Sequence, residues 1–349
     1  MFLKKPALYT DLYELTMAQG YFLSGRQNTP ANFDYYFRNL PFSGGFVLFA
    51  GLGDLLDAIQ HFQFHPDEIE YLKNKGFSME FLEFLQDFEF KGNIRSVKEG
   101  EVIFPNEPVL QVEGTILETQ LLETVILNLI NFESLIATKT ARMRQITDKP
   151  IMDFGLRRAQ GTGGMQAAKA AIIGGANGTS NVLAGQLYDL EISGTMAHSW
   201  IQFFGNELEA FRNYAEYYPD STILLVDTYD TLKSGIPNAI KVAKELEEKG
   251  HKLQGVRLDS GDFAYLSRET RKMLDDSGLH YVKIAVSNQL DEYLIKSLAD
   301  QQAPIDVFGV GTKLVTAYDD PALDGVFKLS MADGTPTLKI SENIARIKT

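Results

Sequence analysis

The pattern of apolar and polar positions changes character several times along the chain. Across residues 8–24 (LYTDLYELTMAQGYFLS) apolar positions recur at helical spacing, with Thr10 and Asp11 placed to cap the start. Tyr13 falls near the beginning of that helix. Residues 31–50 alternate as two strands, ANFDYYFR and GFVLFA, joined through a Pro-Phe-Ser-Gly-Gly turn. Three short amphipathic helices follow, to about Phe88. From Gly92 the stretch NIRSVKEGEVIFPNEPVLQVEG returns to strand alternation, with turns at Glu99-Gly100 and Pro105-Asn106. It predicts a small β sandwich or barrel, a separate module. Residues 117–144 carry a broad apolar face and predict one or two long helices. Lys139 and Arg142 near their end are read as complementing the helix dipole.

After Pro150 one motif repeats: a short apolar strand ends in a polar residue or glycine, and a helix follows. The strands are IMDFG (151–155), EISGT (191–195), TILLVDT (222–228), GVRLDSGD (255–262), VKIAVSN (282–288) and IDVFGVG (305–311), with helices such as 229–249 and 262–277 between them. This alternation means parallel β structure, as a barrel or an open sheet. Either form gathers ligands at the carboxyl ends of the strands. No G-x-G-x-x-G follows a first strand and no Walker A sequence occurs, so neither nucleotide fingerprint supports the open sheet. The stretch GVFKLSMADGTPTLKIS has a hairpin pattern with Asp-Gly in its turn. These patterns predict an N-terminal domain over 1–130, an α/β domain carrying the site over 131–324, and a segment 325–349 that returns to the first.

Composition narrows the classes. The 349 residues are 44% hydrophobic, enough for a sizeable core. There is no cysteine, which excludes disulfides, zinc–thiolate sites and cysteine nucleophiles. No apolar run reads as long enough to span a bilayer, and the N-terminus lacks a signal-peptide pattern, so a cytoplasmic protein without membrane contact is expected. A formal charge of −13 argues against general nucleic-acid binding. It leaves room for anionic small substrates wherever basic residues are local.

The chemistry concentrates at the strand ends. EISGTMAHSW places His198 just past one of them, and imidazole is the side chain best suited to change charge or accept a group near neutral pH. A histidine satisfied by backbone bonds is the competing reading. DFGLRRAQGTGG sets Arg157 and Arg158 after a strand and before a helix start; one suits a carboxylate or phosphate, the other a structural ion pair. Arg257, Asp259 and Asp262 follow another strand, and Asp227 and Asp230 a third. Such carboxylates can hold Mg²⁺ through waters or bind ribose hydroxyls, whereas Asp262 also fits a helix cap. Ser287, Asn288 and the GVGTK segment offer hydroxyls and backbone N–H groups for a phosphate. Together these residues suit phosphoribosyl or sugar-phosphate chemistry.

The stretches TDLYELTMAQ, FDYYFRNLP, INFESLIATKTAR, DFGLRRAQG, GGANGTSNVLAG, GTMAHSW, LLVDTYDTLKSG, RLDSGD and FGVGTKL resemble, in order, those of nicotinate phosphoribosyltransferases of the type II group. The resemblance covers most of the chain. It implies an irregular type II phosphoribosyltransferase α/β barrel with an N-terminal α/β sandwich domain, and a homodimer with shared active sites. The implied reaction joins nicotinate to phosphoribosyl pyrophosphate, giving nicotinate mononucleotide and pyrophosphate in NAD salvage. It is coupled to ATP hydrolysis through a phosphorylated histidine, which by position is His198. Residue by residue, Phe154 and Tyr13 of the partner subunit would sandwich the pyridine ring, and Arg157 would face its carboxylate. Arg257 and Asp259 would bind ribose and phosphates, and Asp227 and Asp259 would serve Mg²⁺. Gly309 and Gly311 would cradle the 5′-phosphate, with Ser287 and Asn288 nearby. Members of the family commonly continue well beyond the point matching Thr349.

One position bears on substrate choice. Relatives that use nicotinamide carry an aspartate in the segment matching GTSN, where this chain has Ser180. A carboxylate there would repel nicotinate and a hydroxyl can donate to it. Alternatives are a quinolinate-using transferase without ATP coupling, a catalytically silent binder of nicotinate or its nucleotide, and a sugar-phosphate lyase using Lys283 as a Schiff base. LLVDTYDTLKSG only superficially resembles a type I phosphoribosyl-pyrophosphate loop, because Asp230 is not adjacent to Asp227.

Overall fold

The computed structural model describes residues 5–337. The chain divides into two compact units, residues 1–138 with 320–349, and Lys139–Asp319. The last twelve residues of the segment expected to return to the first domain, 338–349, lie outside the described residues.

The first unit opens with helix α1 (Leu12–Leu23). Asp11 occupies its cap position but makes no side-chain capping bond. Instead Glu14, one turn in and fully buried, accepts a hydrogen bond from the Thr124 N–H at 2.9 Å. Strand β1 (Pro30–Phe37) follows, then β2 (Val47–Leu48) and helices α2 (Leu52–Gln60), α3 (Pro66–Asn74) and α4 (Met79–Gln86). The expected partner of β1, GFVLFA, shortens to β2 and pairs instead with β4 (Val102–Ile103). Strands β3 (Asn93–Ser96) and β5 (Leu110–Thr115) do not form the separate module expected from 92–115. β5 pairs antiparallel with β1, Tyr35 opposite Leu110, and β3 extends the sheet beyond it. The reason lies in β1, whose Phe33, Tyr35, Tyr36 and Phe37 are all buried. A strand apolar on both faces needs neighbours on both edges and cover above and below.

Helices α5 (Ile116–Gln120) and α6 (Glu123–Arg144) come next, α5 held by a Thr115–Glu118 capping box. Contrary to the sequence expectation, the run Ile116–Arg144 is long and apolar enough, by length and composition, to cross a membrane. Leu122, Val125, Ile126, Ile130 and Ile136 are fully buried, as a core helix requires.

The second unit begins at Lys139. Lys139 is not a solvent-facing dipole complement: it is fully buried and pairs with Glu292 at 2.9 Å and with Asp319, and Arg142 donates to Glu292 at 2.8 Å. Six parallel strands follow: β6 (Ile151–Asp153), β7 (Gly178–Thr179), β8 (Ile223–Leu225), β9 (Gly255–Leu258), β10 (Lys283–Ser287) and β11 (Val307–Val310). Their order is β7-β6-β11-β10-β9-β8. The helices between them are α7 (Gly163–Ile173), α8 (Val182–Tyr188), α9 (His198–Phe204), α10 (Glu207–Tyr217), α11 (Ile236–Glu248), α12 (Phe263–Asp276) and α13 (Glu292–Asp300), with α14 (Thr312–Val315) after β11. The strand expected at 191–195 reduces to one bridge, Ile192 to Thr179. Ser193 and Gly194 interrupt its apolar alternation, which makes the barrel irregular at that edge.

Alternation along these strands decides what the barrel contains. Val256, Leu258, Ile284, Val286, Phe308 and Val310 are buried, each contributing about 1.5–3 kcal/mol. The opposite positions, Gly255, Arg257, Lys283, Ala285, Val307 and Gly309, line a cavity of about 630 Å³. Many barrels fill this space with branched side chains; here glycine, alanine and polar residues leave it open.

After the barrel, β12 (Gly325–Ala332) and β13 (Thr335–Pro336) form a hairpin across Asp333 and Gly334, with φ of 50° and 71°. Two left-handed residues make the tight turn that matches strand twist. β12 pairs antiparallel with β1, Tyr35 opposite Phe327, completing the order β13-β12-β1-β5-β3.

Candidate active site

The carboxyl ends of β8, β9 and β10 bring four of the singled-out residues into one network. Arg257 donates from Nε to the Ser287 hydroxyl at 2.8 Å and from a terminal nitrogen to Asp259 Oδ1 at 2.8 Å, and its other terminal nitrogen bonds the Thr195 hydroxyl. Ser287 donates in turn to Asp259 Oδ1. Burial pushes the Asp259 carboxyl up, but the Ser287 and Arg257 hydrogen bonds and the Arg257 charge outweigh it and hold the group below its ordinary value. Asn288, at φ 80°, adds an amide bond to the Asp259 carbonyl at 3.0 Å. A left-handed residue immediately after a strand is a strained position of the kind found at ligand sites.

Asp227 stands beside this network with its side chain 1% exposed. Its Oδ2 accepts from the Asp259 N–H at 2.9 Å and from the Ser260 hydroxyl at 2.6 Å. Its Oδ1 is buried without a hydrogen-bond partner among the described residues. His198, the first residue of α9, puts Nε2 at 3.8 Å from this oxygen and 3.8 Å from Asp259 Oδ2. On the other side of the ring Nδ1 lies 3.0 Å from the Thr228 hydroxyl. Two carboxylates near Nε2 favour the tautomer with the proton there. Nδ1 is then the lone-pair nitrogen, accepting from Thr228 and half open to solvent.

Phe154 leaves β6 with its N–H bonded to the Val310 carbonyl at 2.7 Å. Its ring fills the space a side chain at Gly309 would take, since a β-carbon there would meet ring carbons at 2.5 and 2.8 Å. The Arg257 guanidinium lies 6.0 Å from the ring centroid. Gly309 therefore serves first as the seat of this ring, a role the sequence did not suggest. Gly311 follows β11, and the N–H groups of Gly311 and Thr312 make no hydrogen bond among the described residues. Ser180 is half-buried and its N–H bonds the Asp153 carbonyl at 2.8 Å.

Other expectations resolve differently. Arg157 and Arg158 sit on a short 3₁₀ turn, Leu156–Arg158, and both are exposed. Neither forms an ion pair among the described residues, so the expected structural pair is absent there; both side chains are solvated on the short turn. Asp230 caps the turn before α11, accepting from the Lys233 N–H at 2.9 Å, and Asp262 caps α12. Lys283 lines the cavity four residues before Ser287, about 13 Å along the strand from the carboxyl end. Tyr13 lies in the first unit, in the first turn of α1. Burial, then the charge of Glu123, raises its hydroxyl pKa. Thr228, Ser260 and Thr195 were missed by the sequence reading. Each is a hydroxyl at or next to a strand end, and that position was the available signal.

Among the described residues no group of three or more histidines, cysteines or carboxylates could hold a metal ion. Asp227 Oδ1 and Asp259 Oδ2 are two hard oxygen donors facing the same space. They suit Mg²⁺, which binds through one or two carboxylates and completes its shell with water and substrate phosphate.

A parallel α/β barrel presenting arginine, paired carboxylates, an imidazole and an aromatic platform at its strand ends has the form of a type II phosphoribosyltransferase. Residues 8–131 match the family model of the nicotinate phosphoribosyltransferase (NAPRTase) N-terminal domain, and 150–346 that of the NAPRTase family. The chain is 46% identical over 350 residues to a nicotinate phosphoribosyltransferase of Bacillus subtilis, covering 98% of this chain and 71% of that protein. It is 38% identical over 402 residues to one of Caenorhabditis elegans, covering 97% and 72%. The crystal structure of human nicotinic acid phosphoribosyltransferase superimposes with a TM-score of 0.85 at 34% identity, covering 94% of this chain and 75% of that one. The chain belongs to the nicotinate phosphoribosyltransferase family.

Proposed function

We propose that this chain catalyses formation of nicotinate mononucleotide and pyrophosphate from nicotinate and phosphoribosyl pyrophosphate, in NAD salvage. The observation that carries the reading is the Arg257–Ser287–Asp259 network standing beside the Phe154 ring at the mouth of an open barrel. It supports a cationic, polar clamp next to an aromatic platform, which is what a ribose phosphate and a pyridine ring require together.

In the proposed mechanism the pyridine nitrogen attacks the anomeric carbon. The new C–N bond forms as the C–O bond to pyrophosphate breaks, and pyrophosphate leaves with the electron pair. No general base is needed, because the pyridine nitrogen already carries its lone pair. Phe154 stacks on the ring, opposite Tyr13 of the partner subunit in a homodimer with shared sites. Arg157, exposed and unpaired, reads the carboxylate, and the Ser180 hydroxyl donates to it. Arg257 offsets charge on the phosphates, and Asp259 orients ribose. The N–H groups at Gly311 and Thr312 receive the 5′-phosphate, with Asn288 near. Asp227 and Asp259 hold Mg²⁺, which neutralises charge on the departing pyrophosphate when bound.

ATP coupling runs through His198. Nδ1 takes the γ-phosphoryl group of ATP, releasing ADP, and water later removes it as phosphate. The Nε2 proton held between Asp227 and Asp259 offsets the charge during the transfer. The phosphoryl group on Nδ1 sits beside Thr228, on the edge of the ring opposite the two carboxylates, where it changes the affinity of the site.

The test is nicotinate mononucleotide formation with Mg²⁺, with and without ATP, alongside nicotinamide and quinolinate as substrates. Nicotinate turnover stimulated by ATP, with stimulation lost in His198→Ala, supports the reading. Turnover indifferent to ATP removes the role of His198 and keeps the transferase. Preference for quinolinate or nicotinamide overturns the substrate assignment.

A further inference from the structure

The mechanism leaves one buried titratable group without a role. Asp153 closes β6, immediately before Phe154, and is 1% exposed. Among the described residues no cation pairs with it. Its Oδ1 accepts the Gly155 N–H at 2.8 Å and its Oδ2 accepts the Thr179 hydroxyl at 2.7 Å. Its carbonyl accepts the Ser180 N–H at 2.8 Å. The Thr179 hydroxyl oxygen also accepts the Asn181 N–H at 3.1 Å. Thr179 is itself bound through its backbone on both sides, its N–H to Glu191 and its carbonyl to Ser193, each at 3.0 Å.

The strands before the two loops, β6 and β7, are neighbours in the sheet, Asp153 opposite Thr179, and Asn181 donates to the Gly164 carbonyl at 3.1 Å. Past the strand ends the Asp153 carboxylate adds the side-chain tie between the loops, holding Gly155 in one and Thr179 at the root of the other. One loop carries Phe154 and Arg157 and the other carries Ser180. Burial raises the Asp153 pKa, while the Thr179 hydroxyl and Gly155 N–H oppose that shift. A buried carboxylate is a costly way to fasten a loop unless the fastening must be two-sided: it offers only acceptors, so both donors are held at fixed angles from one rigid plane. The two loops it fastens present the groups proposed to face the ring and the carboxylate of nicotinate.

We propose that Asp153, acting through Thr179, is a positioning residue that sets the Phe154–Arg157 loop and the Ser180 loop in register around the nucleobase. The functional half rests on the nicotinate reading above; the coupling of the loops does not.

Thr179→Val keeps the shape of the side chain and removes its hydroxyl, and with it both the link to Asp153 and the acceptor of the Asn181 N–H; Thr179→Ser restores both. In Thr179→Val the KM for nicotinate is expected to rise about tenfold, as a misplaced binding loop does, with the KM for phosphoribosyl pyrophosphate unchanged. Thr179→Ser should return it to within about twofold. In parallel, hydrogen exchange of a peptide covering 154–159 should accelerate in Thr179→Val, although the substitution lies in the other loop, and should be normal in Thr179→Ser. A variant that loses thermal stability but keeps both KM values and the exchange of 154–159 overturns the proposal. Wild-type protein inactive with nicotinate overturns the substrate reading, and the exchange measurement still decides the coupling. Asp153→Asn supplies an amide that can still bridge Gly155 and Thr179. Normal exchange at 154–159 in that variant supports a role through hydrogen-bond geometry, and exchange as fast as in Thr179→Val argues against a simple link.

Discussion

Replacing Gly309 by alanine tests whether the aromatic platform is set from beneath. The added methyl would stand 2.5 and 2.8 Å from two ring carbons of Phe154 and 3.2 Å from the Ser287 β-carbon. Carbon pairs rest at about 3.5–4.0 Å, so something must withdraw by about 1 Å. Ser287 cannot easily do so, because Arg257 and Asp259 both hold its hydroxyl. The ring is the freer neighbour, and overpacking of this kind costs about 1–3 kcal/mol. A ring moved off its seat also forfeits stacking on the pyridine, about 0.5–1.5 kcal/mol beyond area burial. At 1.4 kcal/mol per tenfold, that is a rise of about two- to tenfold in the KM for nicotinate. The assay is initial rate against nicotinate at saturating phosphoribosyl pyrophosphate, with urea unfolding on the same samples. The decisive variant is the double one. Phe154→Ala removes the ring, so Gly309→Ala should add almost nothing in that background, and the two effects should be strongly non-additive. Additive losses, or Gly309→Ala with wild-type KM and stability, would refute the reasoning.

Three further outcomes follow from the network, the buried pairs and the titration of α1. Ser287→Ala strips Arg257 Nε and Asp259 Oδ1 of a shared partner; a lost hydrogen bond to charged groups is worth about 1.5–3 kcal/mol, so the KM for phosphoribosyl pyrophosphate should rise at least about tenfold with that for nicotinate little changed. Lys139→Met leaves the Glu292 carboxylate, 2.9 Å from the lost ammonium, with Arg142 as its remaining close cation; unfolding should show a loss of about 3–5 kcal/mol, partly recovered by Glu292→Gln, and an unchanged midpoint would contradict the buried pair. Burial pushes the Glu14 carboxyl up to about 7, against the pull of the Thr124 hydroxyl. Between its unfolded value and that one the folded chain holds the extra proton, so the contribution of Glu14 to stability declines as pH rises through this window. Glu14→Gln should flatten that decline and be up to about 3 kcal/mol more stable at pH 8, as read from melting temperatures across pH 5–8.

How much could be read beforehand depended on whether a residue's role was local. The parallel strands were legible because Val256, Leu258, Ile284 and Val286 alternate with small or polar residues over a few positions. Helix caps such as Asp262 were legible for the same reason. Pairing was not: β5 and β12 flank β1 from opposite ends of the chain, and nothing within 92–115 says that its partner lies at Tyr35. Lys139 read as a complement to the helix dipole because its partners, Glu292 and Asp319, are more than 150 residues away in sequence. In the site, the sequence located the charged groups proposed to face ligand and overlooked the groups that hold them.

That division has a physical basis in how a loop-built site reaches fixed geometry. Phe154 and Ser180 are the first residues past paired strands, each anchored by one backbone bond, to Val310 and to Asp153, and beyond that point neighbouring side chains and glycines set the geometry. Gly309 removes a β-carbon, Asp153 supplies two acceptors, and Thr228 fixes one imidazole nitrogen. None of the three announces itself by charge pattern or periodicity, since a glycine, a strand-end aspartate and a threonine each have a common structural use. Their effect is felt only through a second residue. The variants that best separate function from fold in this chain are therefore not those that delete the ligand-facing groups. Thr179→Val and Gly309→Ala keep every ligand-facing side chain and alter only where it stands, so a change in KM there reports geometry rather than lost chemistry.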